Sequence, residues 1–384
     1  MLRKHLTTII IFIITLAITV FILRYTSPIL YPQAVEADRE IVKLVNEVKS
    51  HVEDIRDLEF PEETNVVVIT KEWVLKHWGP PPTPSKEMLY KEIVYKLTFL
   101  VPPDFSIVEM EKRWTASFMA ATSAYTLYIV KENFNVEDPT AKRALAHELT
   151  HILQYHYFKP EYPKILDSKL AVLALIEGDA DLTADMYCNL TGIPPRPQPT
   201  IPLNSPYIAL QSFPYIYGES FVKQLYVKGG WTLVNEAYQN PPQTTEQIIH
   251  PEKYLRKEEP VKVTLTVNVT GDQVYVDVMG EYYILLVLAL KVNLEEAMEA
   301  VEGWNGDKVV LYRNNKAWTL YWNITWDTLN DAKEFYNTFI EALRNIEAKV
   351  AVENNQAEIR IWSYMVTVTL NGKNILIKTI STAE

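Results

Sequence analysis

The sequence is poor in cysteine, in positive charge and in repeated motifs. A single cysteine, Cys188, excludes an internal disulfide framework, so a packed core must hold the fold together. Acidic residues outnumber basic ones by 48 to 37, and the formal net charge of −11 argues against a nucleic-acid partner. Internal repeats and low-complexity segments are absent from the sequence. What remains is an ordinary globular composition, 48% hydrophobic and 22% charged, with enough length for more than one subdomain.

One long uncharged run is present, at residues 6–23, and it follows Arg3, Lys4 and His5. A helix of this length is about 27 Å long, close to the thickness of the hydrocarbon core of a bilayer. The sequence therefore predicts a single-pass anchor in the cell membrane, with the N-terminus in the cytoplasm and the rest of the chain outside it. A cleaved signal peptide is the alternative, although the nearest candidate cleavage site, after Ala37, lies far downstream.

The pentapeptide His-Glu-Leu-Thr-His begins at His147. On a helix, residues four positions apart lie on one face, so His147 and His151 can bind one metal ion, and Glu148 can reach a water on that ion. A helix is predicted over residues 141–158, because Asp138 followed by proline is a start signal. The pattern indicates a hydrolase with one catalytic Zn²⁺ ion.

A second polar motif lies in residues 167–188, which are also predicted to be helical. The apolar face of this helix carries two carboxylates, Glu177 and Asp181. Zinc that is bound by two histidines needs a third protein ligand and an open position, and a carboxylate is a usual third ligand. We therefore expect Glu177 to bind the zinc ion. We expect Asp181, one turn further on, to accept a hydrogen bond from the outer nitrogen of His147.

HExxH followed by Glu-x-x-x-Asp resembles the gluzincin group of zinc metallopeptidases. The chain is similar to a prokaryotic branch of this group within roughly residues 60–345, in HELTHILQ, in ALIEGDAD and in residues 229–254 and 303–335. Many of these relatives have Gln-Asp-Gln after the second histidine, where this chain has Gln154-Tyr155-His156. The departure concerns residues around the ligands and leaves the ligands themselves unchanged.

The chemistry of such a site predicts peptide hydrolysis. Zinc lowers the pKa of its bound water and polarises the scissile carbonyl. Glu148 would take the proton of that water as a general base and deliver it to the leaving amine. A further donor usually stabilises the oxyanion. We expect Tyr217 and His250 to be catalytic in this way, with Tyr215 as a further candidate.

The gluzincin resemblance also implies how a substrate is bound. In that architecture an extended edge strand precedes the zinc helix and pairs with the substrate backbone. Residues 114–130 are the natural source of this strand, because they are rich in β-branched and aromatic side chains. The chain lacks the Gly-x-Met-Glu-Asn pattern with which gluzincin aminopeptidases hold a free N-terminus. An endopeptidase is therefore favoured over an aminopeptidase.

The predicted fold class is α+β with an N-terminal transmembrane helix. Residues 1–24 are assigned to the cytoplasmic tip and the anchor, and residues 25–60 to a stalk or first helix. Residues 61–258 are predicted to form a mainly helical, zincin-like metallopeptidase domain with an edge-strand sheet. Residues 259–384 are predicted to form a C-terminal α+β domain.

Two predictions within these parts bear on the fold. Residues 34–55 have a helical pattern, which suits either a stalk or the first helix of the catalytic unit. Residues 261–269 and 273–278 alternate around Gly271-Asp272, which predicts a β-hairpin.

The sequence thus predicts a membrane-anchored, extracytoplasmic zinc peptidase that acts on a peptide or protein substrate. Two alternatives remain open at this stage. The same residues could serve a zinc hydrolase of a non-peptide substrate, such as an amide or an epoxide. The chain could also be a cell-surface interaction protein with structural zinc, although such a site has no use for the carboxylate of Glu148.

Overall fold

The computed structural model of the chain describes residues 39–79, 83–115, 119–194, 196–267, 271–315 and 317–381. The first part of the described chain is mainly helical. Its elements, in chain order, are α1 (Arg39–Arg56), β1 (Asn65–Ile69), α2 (Lys71–Trp78), α3 (Lys86–Leu97), α4 (Ile107–Thr115), β2 (Ala120–Ser123), β3 (Thr126–Val130), α5 (Pro139–Tyr157), α6 (Leu166–Thr191), α7 (Pro206–Gln211), α8 (Phe213–Gln239), α9 (Thr245–Ile249) and α10 (Pro251–Leu255).

The second part is an antiparallel sheet with three accompanying helices. Its elements are β4 (Asp272–Asp277), α11 (Glu281–Ala289), α12 (Leu294–Glu299), β5 (Trp304–Asn314), β6 (Ala317–Trp326), α13 (Leu329–Arg344), β7 (Lys349–Glu353), β8 (Gln356–Ile361), β9 (Tyr364–Asn371) and β10 (Asn374–Ser381). The strand order is β4-β5-β6-β10-β9-β8-β7. α13 and α11 bury apolar side chains in the same core as this sheet.

A small three-stranded sheet precedes the helix of the two histidines. Its order is β1-β3-β2, with β1 parallel and β2 antiparallel to β3, so β2 lies at an edge. The hydroxyl of Thr122 in β2 donates to the backbone carbonyl of Glu148 at 3.0 Å. The edge strand is therefore attached to α5 beside the residue that the sequence predicts to be the general base.

α5 begins where the sequence predicts it. Asp138 caps the helix by accepting from the backbone N–H of Thr140 at 2.8 Å, and proline occupies the first turn. The apolar face of α5, with Leu145 and Leu149, packs against Val48 and Val52 of α1 and against part of α6. α1 is therefore packed into the unit that contains the two histidines.

α6 is held at its start and in its middle. At the start, the backbone N–H of Leu166 donates to Asp277 of the C-terminal sheet at 2.8 Å, and Asp167 accepts from Thr245. In the middle, α6 meets α8 backbone to backbone at Gly178 and Gly218. A Cβ atom on Gly178 would lie 2.2 Å from the carbonyl group of Gly218. Glycine at both positions is what allows the two helices to approach this closely.

The structure corrects the predicted fold class. Among the described residues, no helix is long and apolar enough to cross a membrane. The described fold is α+β without a transmembrane helix. Residues 6–23, to which the sequence analysis assigned the anchor, lie outside the described residues.

The predicted hairpin at Gly271-Asp272 is also wrong. Residues 261–267 form no strand, and the strand that follows Gly271 pairs with β5 instead. Isolated contacts hold residues 261–267 to the sheet, such as the hydrogen bond from the side chain of Asn323 to the carbonyl of Thr264 at 3.2 Å. Alternation alone cannot identify the partner of a strand, and here a later segment supplies the partner.

We predict that Gly178→Ala lowers the free energy of unfolding by about 3 kcal/mol, at the upper end of the usual cost of overpacking. The added methyl group would meet rigid backbone on α8, which cannot move aside as a side chain could. Chemical denaturation measures the effect. Asn189→Ala, at an exposed position of the same helix, is the control and should leave stability nearly unchanged. Equal stability of the two variants would contradict the close approach of α6 and α8.

Candidate metal centre

Three side chains from α5 and α6 converge at the middle of the buried interface between these helices. Nε2 of His151 lies 3.0 Å from Nε2 of His147. Oε2 of Glu177 lies 3.2 Å from Nε2 of His147 and 3.4 Å from Nε2 of His151. All three residues are buried, and they form a group that can hold a metal ion.

The spacing of the three donor atoms fits a tetrahedral ion. Ligand atoms that lie about 2.0–2.2 Å from a tetrahedral zinc ion are about 3.3–3.6 Å from one another. The distances of 3.0, 3.2 and 3.4 Å in the structure are close to this range. Oε1 of Glu177 is buried without a hydrogen-bond partner among the described residues, as expected for a carboxylate that a cation would satisfy. The group therefore fits a metal ion in both spacing and donor type.

The outer nitrogen of His147 is held by a carboxylate. Nδ1 of His147 lies 3.1 Å from Oδ1 of Asp181, which also accepts from Arg143 at 2.9 Å. A second arginine, Arg196, contacts the other oxygen of Asp181 at 3.0 Å. Burial opposes ionisation of Asp181, but the two arginines outweigh it and keep the pKa of this carboxyl well below its usual range. The charged form can therefore accept from Nδ1 and leave Nε2 free for a metal.

The outer nitrogen of His151 is held by an amide. Nδ1 of His151 lies 2.7 Å from Oε1 of Gln154. The Gln154 amide nitrogen donates to the carbonyl of Ile176 at 2.9 Å and to Asp179 at 3.0 Å. Because that nitrogen faces two acceptors, the amide oxygen must face the histidine. The sequence analysis did not assign this role to Gln154, although its position three residues after His151 on the same helix face could have indicated it.

Glu148 lies beside this group and is buried. Its Oε2 has no hydrogen-bond partner within the part of the chain that the structure describes. Burial raises the pKa of Glu148, and the nearby His151 and His147 oppose that rise. A buried carboxylate oxygen without a partner is costly unless another group meets it. Glu148 lies next to the three side chains that can hold a metal ion, so its carboxylate could take a proton from a molecule bound to that ion.

The charge of Glu177 acts on two tyrosines from different parts of the chain. Tyr215, in the first turn of α8, is buried; burial together with the charge of Glu177 raises its pKa well above the usual value, and its hydroxyl is in hydrogen-bond contact with that carboxylate. Tyr162 precedes α6 and is half-buried, and burial and the charge of Glu177 raise its pKa too. Both hydroxyls therefore keep their protons at neutral pH and can act as donors. Tyr162 lies in a connecting segment without periodicity, so the sequence analysis missed it.

The two predicted oxyanion donors contact other groups. The ring of Tyr217 packs against Phe213 and Tyr282, at centroid distances of 5.3 and 5.7 Å. Nε2 of His250 lies 3.1 Å from Oε1 of Glu281. Residues two apart on a helix point about 200° apart, so Tyr215 and Tyr217 cannot both face Glu177. The structure brings Tyr215 to that carboxylate, and it does not bring Tyr217 or His250 there.

Comparison with known proteins adds little about this site. A family model described as a domain of unknown function, DUF8575, matches residues 264–383, a range that includes the strands and helices of the C-terminal sheet. No curated protein matches the chain. A crystal structure from Chloroflexus aurantiacus, described as a "putative hydrolase with a novel fold", is 14% identical and covers 59% of this chain and 91% of its own. Its TM-score is 0.34, so the likeness carries no argument about fold or function.

We predict that the full chain binds one equivalent of Zn²⁺ and that His151→Gln weakens this binding more than about 100-fold, since even residues around the ligands are worth about 10–100-fold. His156→Gln, on the same helix but in contact with Tyr125 rather than with the metal group, should leave the affinity unchanged. Competition with a chromophoric chelator measures both. Equal affinity in the two variants would exclude His151 as a ligand.

Proposed function

We propose that this protein is a zinc-dependent hydrolase that cleaves peptide bonds, with His147, His151 and Glu177 as zinc ligands. The observation that carries the proposal is the buried Oε2 of Glu148, which lies beside these ligands without a partner among the described residues. A structural zinc site is closed by four protein ligands and needs no free carboxylate. A catalytic site needs three ligands, an open position and a base, which are the groups that this arrangement offers.

Zinc suits the donor set. Two imidazoles and one carboxylate form a known ligand set of catalytic zinc, and softer metals would favour thiolates. Cys188, the one cysteine of the chain, is buried in the cluster between α1, α5 and α6 and is no member of the group. A zinc ion in such a site lowers the pKa of a water that it binds and polarises a carbonyl group.

The protein's own residues would move the proton and stabilise charge. Glu148 takes a proton from the attacking water and later delivers it to the leaving amine. We assign to Tyr162, a half-buried tyrosine whose pKa is raised by burial and by the charge of Glu177, the donation of a hydrogen bond to the oxygen of the scissile carbonyl. Tyr215 is fully enclosed and contacts Glu177, so its role is to hold that ligand in place.

The edge strand supports a peptide as the substrate. β2 lies at the edge of its sheet, and no strand in the described ranges pairs with its outer side; Ala120, Ala121 and Thr122 are buried, so a bound peptide would have to displace the groups that cover them. An extended peptide can add to such an edge through main-chain hydrogen bonds. Thr122 connects β2 to the backbone of Glu148, so a peptide on this edge would lie near the base. Together with the missing Gly-x-Met-Glu-Asn pattern, this favours an endopeptidase.

The first test is hydrolysis of an unstructured protein by the full chain and by Glu148→Gln, with zinc content measured in both. We expect the variant to retain zinc and to lose about 10²–10⁴-fold in rate, the usual contribution of a general base. Glu137→Gln, an exposed carboxylate just before α5, is the control and should cleave like the parent. Equal cleavage by all three proteins would point to a contaminant, and an inert zinc-loaded parent would remove support for a peptidase.

The two tyrosines should separate into a catalytic and a positioning role. Tyr162→Phe is expected to lower kcat about 10²–10³-fold, the usual effect of removing an oxyanion donor, without a change in zinc affinity. Tyr215→Phe is expected to weaken zinc binding because Glu177 loses its contact. Kinetics at saturating zinc and chelator competition measure the two effects. A parental kcat for Tyr162→Phe would show that another group donates to the oxyanion.

A further inference from the structure

One conspicuous motif has no part in the proposed reaction. Gly229 and Gly230 interrupt α8, and Gly230 has φ 61° and ψ −162°, which a residue with a side chain rarely adopts. The helix resumes at Trp231 in a new direction. Trp231, Asn235 and Tyr238 then follow at intervals of four and three, so they share one face of the resumed helix.

Two of these side chains, Trp231 and Asn235, contact the end of α1. The guanidinium of Arg56, the last residue of α1, lies 3.9 Å from the ring centroid of Trp231. It donates to the side-chain oxygen of Asn235 at 2.9 Å. The indole N–H of Trp231 donates in turn to the carbonyl of Ile55 at 2.6 Å. Arg56 is thus buried in a site that offers it a stacking surface and an acceptor, and only 1% of it is exposed.

The charge of Arg56 is matched by Asp179 of α6. Nε of Arg56 lies 3.1 Å from Oδ1 of Asp179, and the second guanidinium contact, to Oδ2, is 3.3 Å. Tyr238 donates to the same Oδ2 at 2.7 Å. A fully buried carboxylate keeps its charge only when it is paired and hydrogen-bonded. Arg56 and Tyr238 together therefore hold the orientation of Asp179.

Asp179 in turn determines the orientation of Gln154. Oδ2 of Asp179 accepts from the amide nitrogen of Gln154 at 3.0 Å, while the amide oxygen faces Nδ1 of His151 at 2.7 Å. A reversed amide would place its oxygen against a carboxylate and its nitrogen against the donor of the histidine. The two acceptors on that side, Oδ2 of Asp179 and the carbonyl of Ile176, make that reversal unfavourable. His151 is therefore kept with its proton on Nδ1 and its Nε2 directed at the other ligands.

We propose that Arg56 is a positioning residue of the metal centre, which acts on His151 through Asp179 and Gln154, and that the Gly-Gly-Trp motif exists to hold it. The N-terminal helix would thereby contribute to the affinity and geometry of the zinc site. This inference rests on the proposed function for the presence of zinc. It adds that Arg56, on α1 and outside both ligand helices, influences the orientation of one ligand, His151.

The experiment measures Zn²⁺ affinity by chelator competition and the visible absorption spectrum of the Co²⁺-loaded full chain. Outer partners of metal ligands are worth about 10–100-fold in affinity, so we expect Arg56→Gln to weaken zinc binding about 10-fold and Gln154→Met at least as much. Both variants should change the Co²⁺ spectrum in the same way. Arg56→Lys keeps the charge but loses the stacked and forked contacts, so we expect a loss of affinity smaller than that of Arg56→Gln.

A matched control separates positioning from general destabilisation. Val52→Ala removes packing from the same helix, at a fully buried position in the apolar cluster that α1 shares with α5 and α6. It should lower stability while leaving zinc affinity and the Co²⁺ spectrum unchanged. Where Arg56→Gln does not fold, Tyr238→Phe replaces it, because it removes one donor to Asp179 without removing a charge.

The outcomes distinguish this inference from the proposed function. A parent chain that binds neither ion overturns both. A parent that binds zinc, beside an Arg56→Gln or Tyr238→Phe variant with the same affinity and spectrum, overturns the role of Arg56 alone. An equal loss of affinity in Val52→Ala and Arg56→Gln would also overturn it, since the effect would then follow stability. A smaller loss of affinity in Arg56→Lys than in Arg56→Gln, with an unaffected Val52→Ala, supports it.

Discussion

The burial of three carboxylates on one short stretch of α6 is the constraint on which the rest of the structure depends. Glu177, Asp179 and Asp181 are all buried, and an ionised carboxylate away from water must be paired. Asp179 is paired with Arg56 from α1, and Asp181 with Arg143 from α5 and a further arginine from the segment after α6. Glu177 faces the two histidines. The positively charged partners bring these elements onto α6. A divalent ion bound at the histidines would balance the remaining negative charge, that of Glu177.

Much of the helical framework and the ligand group can be predicted from the sequence, because both depend on local spacing. The sequence predicts helices over 141–158 and 167–188, and the structure has Pro139–Tyr157 and Leu166–Thr191. Within one helix, a spacing of four places His147 and His151 together without knowledge of the fold. The third member, Glu177, could be predicted because an apolar face with buried carboxylates calls for a cation.

The rest of the site could not be predicted, since it depends on contacts between elements that are distant in sequence. Arg56 and Asp179 are 123 residues apart, and no pattern within α1 shows that its last arginine is buried. Tyr162 lies in a connecting segment without helical or strand periodicity, so the direction of its side chain could not be predicted. The choice between Tyr215 and Tyr217 depends on the rotation of α8 about its axis, which the contact between Gly178 and Gly218 sets.

The same contacts bear on the two roles that the sequence leaves open for the first helix. A stalk would be expected to make separable contacts. α1 instead buries Val48 and Val52 in a cluster shared with α5 and α6, and it supplies the guanidinium that balances Asp179. Removing one partner of a buried ion pair costs about 3–5 kcal/mol, before any loss of apolar burial is counted. Detaching α1 would therefore destabilise α5 and α6, so α1 belongs to the same folded unit as the candidate metal centre.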